Sequence, residues 1–495
     1  MSHSQSMLPQ SMLWPMVAAL LTLAIPAPAA DAPQGQRRPN VVVFLADDLG
    51  ARDLGCTGST FYESPNVDAL AKRGAVFTQA YAACPVCSPT RAAILTGRYP
   101  ARVGITDWIG AVQPQEVKSN PRWKDKPMLP APYKEHLPLE EVTLAEAMCE
   151  AGYATCFLGK WHLGAQKFMP HAQGFDASIG ATHRGSPGKN GYLAPYNDFI
   201  TNLAPGPEGE HLDLRLANEA AQWIAKRDKD RPFLLYFSLY DVHTPLMAPP
   251  ATIRYFEEKK TKLGLADAFD KAGDSKLRLN QAHPTYAAMV KTMDDAVGIV
   301  VKQLEAQGML DDTIIVFTSD NGGLSTTEGS PTSNAPLRAG KGWPYEGGVR
   351  VPQVMVVPGV TSPGSTTHVL TTSTDLFPTL LGACGLPARG KDHADGVNLL
   401  PALKNQALPN RPLFWHYPHY GNQGGSPFSA VRSGDWKLIA FHDPNQPAEL
   451  YNLSADPSET KDLAAEHPDR VASLRQTLNA WKRAVGAVDS IPNTP

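Results

Sequence analysis

The segment Cys84-Pro85-Val86-Cys87-Ser88-Pro89-Thr90-Arg91-Ala92-Ala93-Ile94-Leu95-Thr96-Gly97-Arg98 holds the most reactive grouping in the chain. Proline at position 89 suits the first turn of a helix, where its missing N–H costs nothing, and Ala92 to Leu95 are good helix formers. Cys87 is therefore expected just before a helix N-terminus. There, free N–H groups and the positive end of the helix dipole favour a thiolate, an alkoxide or a bound oxyanion. Arg91, one turn in, adds a permanent charge and a fork of donors. A lone cysteine is more often a buried structural residue. The other polar motifs of the chain argue against that for Cys87.

Those motifs are Asp47-Asp48, Lys160 with His162, Asp241-Val242-His243-Thr244-Pro245, Asp320-Asn321, and Lys341 between two glycines. Each alone would normally be solvated surface or a structural hydrogen bond. Asp47, Asp48, Asp320 and Asn321 together make an oxygen-only set suited to a hard cation, Ca²⁺ first and Mg²⁺ as the alternative. Lys160 and His162 lie two apart and share a side if the chain stays extended. Glycines around Lys341 permit close backbone approach.

The elements that must carry these residues are readable from hydrophobic pattern. Asn40 to Ala46, Pro232 to Leu239 and Thr313 to Ser319 are continuous apolar runs, as in strands of a parallel sheet covered on both faces. Each is followed by polar motif residues, the position where open α/β sheets bind ligands. Gly152 to His162 reads as a short strand ending in Lys160 and His162. Helices are expected over Pro65–Ala71, from the capping box Thr143-Leu144-Ala145-Glu146, over Asp213–Lys226, Thr285–Gln307 and Asp375–Gly382. Asp294 and Asp295 on the fourth of these read as solvated. Residues 112–138 are crowded with proline and form an irregular excursion toward the site mouth; 257–283 read as a charged surface insertion. After the Pro-rich stretch 387–412, residues 430–439 read as a hairpin turning at Ser433-Gly434-Asp435, and Asp469 to Ala484 as a helix. The fold class expected is α/β: a large mixed, mostly parallel sheet flanked by helices, then a smaller C-terminal α+β subdomain on an antiparallel sheet.

A chain of 495 residues is long enough for two such units, and its net charge of -3 argues against a nucleic-acid partner. Met16 to Ile25 is apolar but too short to span a bilayer, and it leads into Ala27-Pro28-Ala29-Ala30. Residues 1–30 therefore read as an export signal, giving a periplasmic or secreted protein with no stable membrane insertion. No basic residue precedes the apolar run. The six cysteines show no repeated metal spacing; Cys149 and Cys156 are left open as a disulfide after export.

The segment CSPTRAAILTG resembles the signature of formylglycine-dependent sulfatases, in which the Cys is oxidised after translation to an aldehyde whose hydrate is the nucleophile. GYATCFLGKWH resembles that family's second signature, RAGKGWPYEGGVR its segment with a sulfate-binding lysine, and ELYNL with Asp456-Pro457 its tail. The resemblance implies an alkaline-phosphatase-like fold, with a catalytic domain at 38–400 and a C-terminal subdomain at 410–490. It implies one Ca²⁺ on Asp47, Asp48, Asp320, Asn321 and the modified Cys87, and a formylglycine-generating enzyme as maturation partner. Arg91 and Lys160 would steady the nucleophile, Lys160 and Lys341 bind sulfate, His243 protonate the leaving alcohol, and His162 take the proton that releases sulfate. The substrate would be a sulfated small molecule or glycan, with His183 and Arg184 in predicted loops as further contacts, beside Trp108, Trp343 and Arg432. Two rivals remain at this stage: a related phosphomonoesterase or phosphodiesterase, and a non-catalytic glycan-binding protein on the same scaffold.

Overall fold

The computed structural model describes Met1 and residues 37–196, 199–204 and 206–494. The expected export signal at 1–30 lies, Met1 apart, outside the described residues. Eight strands build the main sheet: β1 (Asn40–Ala46), β2 (Ala75–Phe77), β3 (Ala154–Lys160), β4 (Ala177–Thr182), β5 (Phe233–Ser238), β6 (Thr313–Ser319), β7 (Gln353–Val356) and β8 (Ser365–Thr367). Their order across the sheet is β8-β2-β7-β6-β1-β5-β3-β4. β6, β1, β5, β3 and β4 run parallel to one another, while β7 is antiparallel to both its neighbours.

The period of two along β1 explains why its run is apolar without alternation. Val42, Phe44 and Ala46 enter one core and Val41, Val43 and Leu45 enter the other. The flanking helices are α1 (Pro65–Arg73), α2 (Cys87–Thr96), α3 (Leu144–Glu150), α4 (Leu212–Lys226), α5 (Pro250–Lys262), α6 (Pro284–Ala306) and α7 (Leu376–Ala383). The first core takes Val67 and Leu70 of α1, Leu216 of α4, Phe256 of α5 and Met289, Met293 and Val297 of α6. The second takes Ile94 of α2, Leu144 and Met148 of α3, and Phe377 and Leu380 of α7. Helices thus cover both faces, and this is the alkaline-phosphatase-like α/β fold.

A second sheet, β9 (Leu413–Tyr417), β10 (Phe428–Ser433), β11 (Trp436–Phe441) and β12 (Glu449–Asn452), is antiparallel throughout and carries the hairpin expected at Gly434. Helix α8 (Pro468–Val485) packs on it through Leu474 and Leu478. Its other face shares a core with Tyr81, Val86, Tyr345 and Val349, and residues 37–495 make one compact unit.

Four expectations need correction. Residues 257–283 are not a featureless insertion: α5 runs to Lys262, and Phe269–Ala272 pairs with Ser275–Arg278 as a hairpin. Its anchor is Arg278, buried over the Phe269 ring, which a charge-based reading takes for surface. Asp294 is fully buried: its carboxylate accepts from the backbone N–H of Asn66 and Val67 and so caps α1. Cys87 is the first residue of α2, with Val86 as the residue before it. Finally, the chain is not extended from Lys160 to His162, because His162 has φ +53°. Cys149 and Cys156 are both free thiols.

Candidate active site

The C-terminal ends of four adjacent parallel strands, β6, β1, β5 and β3, deliver Asp320, Asp47, His243 and Lys160 to one edge of the sheet. The ladder itself fixes their relative heights. Ala46 pairs with Ser319, the Asp320 N–H donates to the Ala46 carbonyl, and the Asp47 N–H donates to the Asp241 carbonyl. β3 approaches β5 so closely that a Cβ on Gly159 would lie 2.0 Å from the Ser238 carbonyl oxygen. Glycine with φ +85° permits that approach and the bulge opposite β4, which turns Lys160 into the site.

Asp47, Asp48, Asp320 and Asn321 are all buried, and Asp48 links Asp320 to Asn321. The Asp48 N–H donates to Asp320 Oδ1 at 3.1 Å, and Asn321 Nδ2 donates to Asp48 Oδ1 at 2.8 Å. Cations surround them: Lys160 Nζ lies 2.5 Å from Asp47 Oδ2, Lys341 Nζ 2.7 Å from Asp48 Oδ2, and Arg91 Nη2 2.7 Å from Asp320 Oδ2. Arg91 also donates through Nη1 to the Lys160 carbonyl and to Ser238 Oγ, whose role the sequence did not indicate. Burial pushes Asp47 well above the usual carboxylate range despite Lys160. At Asp48 burial is outweighed by Lys341, His243 and Lys160, which hold it below that range. Two oxygens, Asp47 Oδ1 and Asn321 Oδ1, are buried with no hydrogen-bond partner. Orphaned hard donors amid carboxylates fit a hard cation, so these four residues could hold one.

A cavity of about 230 Å³ opens beside this cluster, lined by Cys87, Trp108, His162, His243, Glu328, Lys341 and Gln423, among others. Cys87 is 4% exposed. Burial raises its thiol above the ordinary value against the pull of Lys160 and Lys341, so the side chain in its cysteine form is a thiol. Lys341 is carried on a loop whose neighbour Gly340 packs backbone to backbone; a Cβ there would lie 2.2 Å from the Gly323 carbonyl oxygen.

The two histidines differ. His162 Nε2 lies 2.9 Å from the Ile109 carbonyl, which requires the proton on Nε2 and leaves Nδ1 buried and unpartnered. Burial, then the Lys160 charge, holds this ring well below the ordinary imidazole value. His243 donates from Nδ1 to the Thr244 carbonyl at 2.6 Å, and its Nε2 lies 3.7 Å from Asp48 Oδ2. Burial, then Lys341, lowers it to about 3.

Of the expected sugar contacts, Trp108 lines the cavity and the others do not. His183 and Arg184 are exposed, and Arg184 lies 4.8 Å over the Phe199 ring; the neighbouring Gly185 and Ser186 reach the cavity instead. Arg432 is buried against Tyr81 and Gln79, and Trp343 donates its indole N–H to the Gln423 carbonyl. Glu328, Asn422 and Gln423, which also line the cavity, have almost no signature in the sequence. Their one signal was the glycine-rich loop Gly421-Asn422-Gln423-Gly424-Gly425, which brings Gln423 Nε2 to donate to Glu328 Oε1 at 2.9 Å.

Residues 39–386 match the family model described as Sulfatase, and residues 339–484 match the one described as N-sulphoglucosamine sulphohydrolase, C-terminal. Human arylsulfatase A is 32% identical over 487 residues, spanning 89% of this chain and 87% of its own length. Human N-acetylgalactosamine-6-sulfatase is 31% identical over 408 residues, spanning 78% of this chain and 69% of its own. The solved structure of Ps i-CgsB in complex with k-i-k-neocarrahexaose superposes with a TM-score of 0.71 at 29% identity, covering 90% of this chain and 93% of that one. The chain belongs to the sulfatase family and is a sulfuric ester hydrolase.

Proposed function

We propose that this enzyme cleaves a sulfate ester on a carbohydrate, using a formylglycine made from Cys87 and releasing inorganic sulfate and an alcohol. The observation that carries the reading is that Cys87, His162, His243 and Lys341 line one cavity directly beside the buried Asp47, Asp48, Asp320 and Asn321 set. Asp47, Asp48, Asp320 and Asn321, with the oxygen formed at position 87, would hold Ca²⁺. The family uses a metal ion and formylglycine in general; Ca²⁺, the modification of Cys87 and its formylglycine-generating enzyme are parts of this proposal. The cation supplies positive charge that acidifies a bound hydroxyl and offsets charge on sulfonyl oxygens. A formylglycine hydrate at position 87 would offer two hydroxyls, one as a nucleophile and one with a proton to give up, while the residues around it hold and move the protons.

The chain's own residues do the rest. Arg91, through Asp320 and the Lys160 carbonyl, holds the strand ends at the spacing this chemistry needs. Lys341 and Lys160 present ammonium groups to the sulfate oxygens. When the S–O bond to the alcohol breaks, His243 delivers a proton from Nε2 to the departing oxygen; the arriving sulfate charge favours the imidazolium that this requires. His162 Nδ1, neutral and unpartnered, accepts the proton of the second hydroxyl as sulfate leaves. His183 and Arg184 do not line this cavity.

We further read the enzyme as exported to the periplasm or the medium, with residues 38–400 as catalytic domain and 410–490 as C-terminal subdomain. Among the described residues no helix is long and apolar enough to cross a membrane.

The test is sulfate release, from protein made with the formylglycine-generating enzyme, on a panel of an aryl sulfate, galactose and N-acetylgalactosamine monosulfates, and carrageenan and chondroitin oligosaccharides containing them. Expected are turnover on sugar sulfates, an aldehyde-containing peptide at position 87 by mass spectrometry, and a Cys87→Ser variant that fails to turn over. Faster cleavage of matched phosphate esters, or wild-type turnover by Cys87→Ser, overturns the reading.

A further inference from the structure

We propose that a second cavity, walled off from the Cys87 pocket by Trp108, is a subsite for a neighbouring sugar ring of a sulfated oligosaccharide. The proposal rests on reading the Cys87 pocket as a carbohydrate sulfatase site. The second cavity, about 210 Å³, shares Trp108 and Asn422 with the Cys87 pocket, so a ligand passing over the Trp108 edge enters both.

Its walls combine the three features that hold an anionic sugar. The first is aromatic surface for the C–H faces of a ring: Trp123 and Tyr420 line it with their rings stacked at 5.9 Å and 23°. The second is positive charge at the rim. Arg122 lies 5.1 Å over Trp123 and donates through Nη2 to the Asn422 carbonyl at 2.6 Å, and Lys126 Nζ lies 5.2 Å over Tyr420. The third is a set of polar residues for ring hydroxyls: Asn120, Asn422 and His419 line the cavity. His419 is 1% exposed; its Nε2 pairs with Thr106 Oγ1 at 2.9 Å, while Nδ1 has no hydrogen bond and only Asp107 Oδ2 nearby, at 3.5 Å. Trp123, Arg122 and Lys126 come from the proline-rich excursion of 112–138 and His419 and Tyr420 from the loop after β9, neither of which supplies a residue to the carboxylate cluster.

The experiment compares kcat/KM on a galactose or N-acetylgalactosamine monosulfate with kcat/KM on the oligosaccharide that contains it, for wild type, Trp123→Ala and Arg122→Ala. The wild type should favour the oligosaccharide. In Trp123→Ala the oligosaccharide-to-monosaccharide ratio should fall about tenfold, as expected for loss of one aromatic contact. Arg122 is exposed, so its variant keeps the test open should Trp123→Ala fail to fold, and it should lower the same ratio. A wild-type ratio near unity, or a ratio that neither variant changes, overturns the subsite while leaving the sulfatase reading intact. No hydrolysis of any sugar sulfate by the wild type overturns the reading of the Cys87 pocket and the subsite with it.

Discussion

At the scale of single residues, His162 and the orphaned oxygens say most about the chemistry. The Ile109 carbonyl fixes the His162 tautomer, so the lone pair is on the buried, unpartnered Nδ1. A group placed to act only in sulfate release leaves the first half of the reaction intact when removed. His162→Ala should therefore liberate roughly one equivalent of alcohol per enzyme in a burst and then stall, with steady-state turnover down by roughly 10²–10⁴. A burst as depressed as the steady state would move His162 to the first step. The oxygens of Asp47 and Asn321 make a separate prediction. Chelation should abolish turnover while far-UV circular dichroism stays folded, since Lys160, Lys341 and Arg91 still neutralise the carboxylates. Full activity in metal-free protein would remove the cation from the scheme.

At the scale of elements, the segment carrying Lys341 is locked from behind by a buried charge network. Lys437 on β11 sits between Glu346 Oε1 at 3.1 Å and Glu459 Oε1 at 2.9 Å, and Glu459 Oε2 accepts the Glu346 N–H at 2.6 Å. Burial, against the pull of Lys437, pushes Glu459 up to about 7. Its folded value is thus above its unfolded one, so the stability it contributes is complete below about 4.5 and is lost as pH rises through about 7. Glu459→Gln, with Lys437 still paired to Glu346, should flatten that dependence: wild-type Tm falls relative to the variant between about pH 4.5 and 7. Parallel Tm curves would show that Glu459 does not titrate there. The sequence revealed the strands and the residues at their ends, because buried β-branched runs followed by Asp or Lys leave a local signature. It could not reveal Asp294, whose partners lie 227 and 228 residues away, nor this network, whose members belong to three separate segments. His183 and Arg184 illustrate the limit of loop reading: they are exposed, while the next two residues, Gly185 and Ser186, line the cavity.

At the scale of the whole molecule, the question is whether the boundary near 400–410 separates two units that can come apart. The contacts across it are those of an interior. Trp415 donates its indole N–H to the Ala82 carbonyl at 2.8 Å and packs edge-on against Tyr81 at 5.5 Å; Tyr417 OH donates to Asp107 Oδ1; Arg411 pairs with buried Asp375. Pulling residues 410–490 away would take Lys437 and Glu459 together from Glu346, breaking the buried Lys437–Glu346 pair and the Glu346 N–H bond to Glu459, and breaking a buried pair costs about 3–5 kcal/mol. It would also remove Gln423 and Asn422 from the Cys87 pocket and His419 and Tyr420 from the neighbouring cavity. A low-denaturant intermediate with the second sheet detached should therefore not accumulate, and turnover should be lost only with the fold. In urea, tryptophan fluorescence, far-UV circular dichroism and sulfate release should follow one coincident transition. An earlier loss of fluorescence and activity, with circular dichroism of the main sheet retained, would instead make residues 410–490 a separable domain that completes the substrate site from outside.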